Sequence, residues 1–205
     1  MPRFSENEKD IIRKRLMEKG KELFLQFGLR KTSIDSIISA SGIAKGSFYT
    51  FFRSKEELFL EIWFEEESKY NQFLTEIMLS AKTPKDMIIQ VCKGTFEYLE
   101  SNPFHRNLYE RNETEYLIRK LPPGQYTSLI EQDNSTFIPL LEKLQQEGEI
   151  IPIEPEIIMG IHRCLSYLPL LKEEIGPEVF PKVLETMIML IAEGLTTQKT
   201  QVDFL

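Results

Sequence analysis

The 205-residue chain is 41% hydrophobic and 28% charged, apolar enough for a packed globule and too apolar for a disordered tail. Its net charge of −7 hides an asymmetry: residues 1–55 hold 12 Lys and Arg against 6 Asp and Glu, which leaves 13 of the 25 basic and 26 of the 32 acidic groups to the rest. Two cysteines, Cys92 and Cys164, without CxxC spacing argue against a disulfide scaffold or a structural zinc site.

Read in chain order, nearly every segment has the 3.6-residue periodicity of a helix, without sustained period-2 alternation or an Asn-Gly or Asp-Gly hairpin signal. An all-α fold of about nine helices is expected, over 6–27, 34–41, 45–51, 55–80, 84–101, 104–120 (broken near Arg111), 125–147, 155–173 and 177–197. Ser5 with Glu8, Thr32 with Asp35, Ser54 with Glu57 and Thr83 with Asp86 mark four helix starts, each a hydroxyl followed three residues later by a carboxylate. Pro84, Pro103 and Pro155 suit first turns, and Gly28, Gly148 and Gly176 suit helix ends. No flexible linker separates the basic and acidic parts. Two domains are expected, 1–54 and 55–205, joined by the long helix over 55–80.

The informative segment runs from Thr32 to Arg53, TSIDSIISASGIAKGSFYTFFR. Ile34, Ile37 and Ile38 give its first helix an apolar face, Gly42 suits a tight turn at positive φ, and Ile43, Phe48 and Phe51 give the second helix a buried face. Ile12, Leu16, Gly20, Leu23, Phe24 and Phe27 form a stripe ahead of it, the third wall of a small core in which Gly20 admits a neighbouring helix closely. With those residues inward, the second helix turns Lys45, Gly46, Ser47, Tyr49 and Thr50 outward, as a recognition helix requires. Lysine, the hydroxyls and tyrosine offer donors and acceptors to phosphates and base edges, and Gly46 lets backbone approach backbone. Thr32, Ser33 and Lys55, at helix N-termini, are expected to meet phosphate. The basic N-terminal surplus points the same way, toward double-stranded DNA.

The run LFLQFGLRKTSIDSIISASGIAKGSFYTFFRSKEELF resembles the DNA-binding signature of TetR-family regulators over residues 12–60, including Phe27-Gly28, Gly42, Tyr49, Phe52 and the Ser-Lys-Glu-Glu-Leu that opens the fourth helix. Ile38, Ser41 and Gly20 depart from the alanines common in that family. The resemblance implies a homodimeric repressor that binds a palindromic operator and is released by a small molecule held in a C-terminal helical bundle. It implies a pocket among segments that carry Trp63, Tyr70, Phe73, Cys92 and Phe96, followed by His105, Tyr109, Phe137 and His162. An apolar wall with a few polar groups suits such a ligand, and core packing is the alternative for each residue.

In the last two long helices the apolar faces are wider than one buried stripe. Ile161, Leu165 and Leu168, then Phe180, Leu184, Met187, Ile188 and Ile191, serve either as core or, as the resemblance implies, as a four-helix dimer interface.

Other function classes are poorly supported. GxGxxG after a strand, GxxxxGK[ST], HExxH and a nucleophile elbow are all absent from the sequence, so an enzyme is not expected, and neither is a cofactor or a metal. An all-α enzyme of unfamiliar type and a helical adaptor that meets an acidic protein remain the alternatives, and an activator uses the same fold. The chain opens on polar residues rather than an apolar signal region, and no apolar run nears the roughly 18 residues that span a bilayer. A cytoplasmic protein with reduced, buried thiols and no membrane partner is expected.

Overall fold

The computed structural model describes residues 5–197, apart from 112, 123 and 126 and the side chain of residue 129; the outermost parts of the two expected domains, 1–4 and 198–205, lie outside the described residues. The helices are α1 (Glu6–Lys31), α2 (Ile34–Ser41), α3 (Lys45–Phe51), α4 (Lys55–Ser80), α5 (Pro84–Ser101), α6 (Pro103–Glu110), α7 (Glu113–Lys120), α8 (Thr127–Gln146), α9 (Pro155–Tyr167), α10 (Lys172–Ile175) and α11 (Phe180–Thr196). Among the described residues there is no strand. The segment expected as one helix over 155–173 is divided: α9 ends at Tyr167 and a 3-10 turn, Leu168–Leu171, follows. Pro169 has no N–H to continue the ladder there.

Capping follows the hydroxyl–carboxylate pairs at three of the four expected starts. The Ser5 hydroxyl accepts from the Glu8 N–H, Ser54 from the Glu57 N–H at 3.1 Å, and Thr83 from the Asp86 N–H at 3.1 Å. The fourth is displaced by one residue. Ser33 caps α2 in a reciprocal box with Ser36, while Thr32 donates its hydroxyl backward to the Gly28 carbonyl at 2.7 Å.

Two compact units emerge in space, and their division differs from the boundary expected at residue 55. The first comprises Met1–Ser68 and Pro103–Tyr126, the second Lys69–Asn102 and Thr127–Leu205. Helix α4 contributes its first half to one and its second half to the other, and α6 and α7 belong with the N-terminal helices.

In the first unit Leu16, Phe24, Ile37, Phe48, Phe52, Leu58, Ile62 and Leu108 are buried. The buried row of α1 is Leu16, Gly20, Phe24 and Gly28, spaced by four. Phe27, expected in that stripe, is exposed. Gly20 permits the close crossing of α1 and α4, because a Cβ there would meet Leu58 Cδ2 at 2.9 Å. The ring of Phe59 meets Phe24 edge-on and stacks on Phe104, each at 5.1 Å, which joins α1, α4 and α6.

In the second unit one apolar cluster gathers Leu74, Phe137, Leu141, Ile158, Met159 and Leu195, and another gathers Cys92, Leu165 and Ile188. The Ile151 N–H donates to the Leu195 carbonyl at 2.8 Å, which pins the loop before α9 to the end of α11.

Candidate nucleic-acid interface and ligand cavity

The turn between α2 and α3 is made by Gly42 in the left-handed region (φ 65°), where a side chain is disfavoured. The Gly42 and Ile43 N–H groups both donate to the Ile38 carbonyl, which closes the end of α2. Phe48 and Phe52, one turn apart, are 0% and 1% exposed and fix the rotation of α3. Phe51 and Ile43, expected to share that burial, are only half-buried, because the inward row runs through 48 and 52. Arg13 locks the assembly: it pairs with both carboxylate oxygens of Glu61 and lies 4.9 Å from the centroid of the Phe52 ring.

With α3 so fixed, Lys45, Gly46, Tyr49 and Thr50 are exposed and Ser47 is half-buried. Tyr49 is 53% exposed, its ring braced edge-on against Phe48 at 5.5 Å. Nothing lies within 4 Å of where a Gly46 Cβ would be, so the fold itself makes no demand for glycine there. The Lys45 ammonium bridges to Asp35 of α2 at 2.7 Å, both side chains open to solvent. The hydrogen bond to Asp35, then its charge, raises the Lys45 pKa, so the cation is secure at neutral pH. Ser33 is exposed beside this face.

Two residues expected at the phosphate contacts are already engaged within the protein. Thr32 is 3% exposed, and both its hydroxyl and its N–H donate to the Gly28 carbonyl. The Lys55 ammonium donates to the carbonyls of Leu29 (2.7 Å), Arg30 (3.1 Å) and Thr32 (2.7 Å). It neutralises the negative end of α1, where orphan carbonyls collect. Burial lowers its pKa.

Sequence reasoning missed Glu113. The backbone of α1 breaks at Gly28 (φ 79°), and the Leu29 N–H just beyond the break donates to Glu113 Oε1 at 3.0 Å. Arg111 Nη2 and Asn107 Nδ2 both donate to the Leu25 carbonyl at 3.2 Å, and the Tyr116 hydroxyl donates to Glu56 at 2.9 Å. Polar groups of α6, α7 and the turn between them thus hold the end of α1 that leads into the α2–α3 turn. No local pattern announces a partner 84 residues away.

The second unit contains an apolar cavity of about 70 Å³ that is partly open. Of the nine pocket residues expected, Cys92, Phe137 and His162 line it. Tyr70 stands behind His162 in a buried network: Thr95 Oγ1 lies 2.9 Å from the Tyr70 hydroxyl and 2.8 Å from His162 Nε2. Phe73 and Phe96 pack against the two neighbouring clusters without lining the cavity. Trp63, His105 and Tyr109 belong to the first unit, where Trp63 Nε1 donates to Glu67 at 2.9 Å and His105 Nε2 lies 3.3 Å from the same oxygen. The aliphatic and thioether wall, including Leu74, Val91, Ile158 and Met159, was missed because such residues read as ordinary core.

The helix faces expected at a dimer interface are divided as well. Leu165, Phe180 and Ile188 are buried inside the unit. Leu168, Leu184 and Met187 pack half-buried against them, and Ile161 and Ile191 line the cavity. The side turned to solvent is one helical step away: Ile157 and Tyr167 of α9, Leu170 and Leu171 of the 3-10 turn, and Met189 and Leu190 of α11, with Leu190 67% exposed. Cys164, expected to be buried, is exposed on α9.

Residues 16–62 match the family described as bacterial regulatory proteins, tetR family. The HTH-type transcriptional regulator AcrR of Shigella flexneri is 32% identical over 101 residues, 49% of this chain and 46% of AcrR. The HTH-type transcriptional regulator YhgD of Bacillus subtilis is 26% identical over 149 residues, 72% of this chain and 76% of that protein. The chain therefore spans less than half the length of AcrR. In fold, a crystal structure of a TetR-family transcriptional regulator from Pectobacterium atrosepticum superposes with a TM-score of 0.71 at 16% identity, covering 95% of this chain and 98% of that one. Among the described residues no helix is long and apolar enough to cross a membrane.

Proposed function

We propose that the chain is a TetR-family transcriptional regulator rather than an enzyme, a homodimeric repressor that leaves a two-fold symmetric operator when a small molecule fills the cavity of its second unit. One observation carries the DNA-reading half: Phe48 and Phe52 face the core while Lys45, Gly46, Tyr49 and Thr50 face solvent. That face offers a cation, hydroxyls and a tyrosine to the major groove. Ser33 and Ser47 complete the interface. Thr32 and the Lys55 side chain drop out of it and support the α1–α2 junction instead.

In this reading two recognition helices enter successive major grooves about 34–36 Å apart. The exposed faces of α9 and α11 pair with their copies in a second chain, and two-fold symmetry of the protein is matched by the site. Helix α4 supplies Leu58 and Ile62 to the first unit's core and Leu74 and Met78 to the cavity wall, so a ligand that displaces the second pair acts on the first through one helix. The effect requires that the ligand bind the DNA-free conformation better. The site would be sought in the chain's own upstream region. A salt-sensitive gel shift with that duplex, absent with a scrambled duplex and abolished by Tyr49→Ala without loss of the dimer, supports the reading. Equal binding to both duplexes overturns it.

A further inference from the structure

Resting on the reading of this cavity as the effector site, we infer that its ligand is an uncharged, compact apolar molecule of one or two rings, admitted by movement of methionine side chains. Every wall residue is hydrocarbon or thioether except Cys92 and His162. Among the described residues no Asp, Glu, Lys or Arg lines the cavity, so an ion bound within it would lose hydration without a countercharge, which is costly. Neither exception carries a permanent charge. Burial pushes the Cys92 thiol up to about 11, so it is neutral at physiological pH.

His162 is engaged within the wall. Its Nε2 lies 2.8 Å from Thr95 Oγ1, an oxygen that is also 2.9 Å from the Val91 carbonyl and from the Tyr70 hydroxyl, so this ring nitrogen serves the scaffold rather than a ligand. With its ring nearly parallel to Tyr70, interplanar angle 17°, the histidine is held as part of the scaffold.

Size supports the rest. A dry apolar cavity of about 150 Å³ takes benzene, whereas this one holds about 70 Å³. A ring must therefore displace wall atoms. Met78, Met87 and Met159 line the cavity, and unbranched thioethers rearrange at less cost than branched chains.

The test uses the 205-residue chain and isothermal titration calorimetry with three molecules of one shape: 1-naphthalenemethanol, 1-naphthylmethylammonium and 1-naphthoate. The alcohol is expected to bind at least tenfold tighter than either ion and to slow iodoacetamide labelling of Cys92 while exposed Cys164 labels as before. Replacing all three methionines by leucine conserves volume and is expected to weaken the alcohol about tenfold with the unfolding midpoint nearly unchanged. An ion binding as tightly as the alcohol, or labelling of Cys92 unaffected by bound alcohol, overturns the inference. If the alcohol binds and protects Cys92 yet the operator complex persists, the ligand class stands and the effector reading of the cavity fails.

Discussion

Lys45 and Lys55 both stand at the start of a helix in the segment proposed to meet DNA, and their contacts imply opposite roles that one pair of variants separates. Among the described residues Lys45 is paired with the exposed Asp35, a contact that solvent screens and a phosphate replaces. Each phosphate contact contributes about 0.9 to the slope of log affinity against log salt, so two copies in a dimer contribute about 1.8. Between about 50 and 200 mM salt, the affinity ratio of wild type to Lys45→Ala then shrinks about twelvefold, with no change in the unfolding midpoint. For Lys55→Met, three carbonyls at 2.7–3.1 Å lose their donor. A hydrogen bond to a charged group contributes about 1.5–3 kcal/mol, and the partial desolvation that lowers the Lys55 pKa together with its exposure reduces this to about 1–2 kcal/mol. Lys55→Met should therefore unfold at lower urea concentration while its salt slope matches wild type. The assays are urea denaturation and fluorescence-anisotropy titration of the operator at several salt concentrations. A reduced slope for Lys55→Met with unchanged stability, or an unchanged slope for Lys45→Ala, refutes the assignment.

Other consequences are equally direct. Gly46→Ala has open space for its Cβ and gains helix propensity, so stability should rise by about 0.5–1 kcal/mol while operator affinity falls at least tenfold in anisotropy titrations. Glu113→Ala strands the buried Leu29 N–H and should cost about 2–3 kcal/mol in urea denaturation, whereas Glu113→Gln, which keeps an acceptor, should lose less than half of that. Because the Cys92 pKa is raised from 9.0 to about 11 in the folded state, the folded protein binds more protons than the unfolded chain above pH 9. Stability is accordingly full below pH 9 and should fall by about 2–3 kcal/mol as pH rises to 11, a decline that Cys92→Ala removes from that site's contribution in pH-dependent denaturation. Leu190→Glu, on the exposed face of α11, should leave the fold intact within about 0.5 kcal/mol yet convert the dimer to monomer in sedimentation velocity.

What could be read from the sequence follows from how local its cause is. Helix starts at Ser5, Ser54 and Thr83 depend on a hydroxyl and a residue three positions on, and they are found where expected. The orientation of α3 follows in part from its own aromatic spacing: Phe48 is inward and Lys45, Gly46, Tyr49 and Thr50 are exposed as expected, whereas Phe52 takes the inward place expected for Phe51, and Ser47 is half-buried. Failures begin where a local rule has two solutions or the partner is distant. Thr32 and Ser33 both offer a hydroxyl beside α2, and only the carbonyl at the Gly28 break decides which of them turns back. The end of α1 recruits Lys55 and Glu113 across 26 and 84 residues, contacts that periodicity does not encode. For the cavity, the family resemblance pointed to the segments of Trp63 and His105, which pack in the other unit. Its actual wall is built from the aliphatic residues and methionines that any core contains. The outer faces of α9 and α11 were misphased because both sides of each helix are apolar, so a stripe alone does not say which side is inward.

Selection of duplexes from a random pool by the wild-type protein and by Tyr49→Ala, followed by sequencing, tests most directly that α3 reads DNA. Wild type should enrich one two-fold symmetric motif with half-sites about one helical turn, or a multiple of it, apart, and Tyr49→Ala should lose that enrichment. No enriched motif with wild type, or the same motif recovered with Tyr49→Ala, would contradict the account.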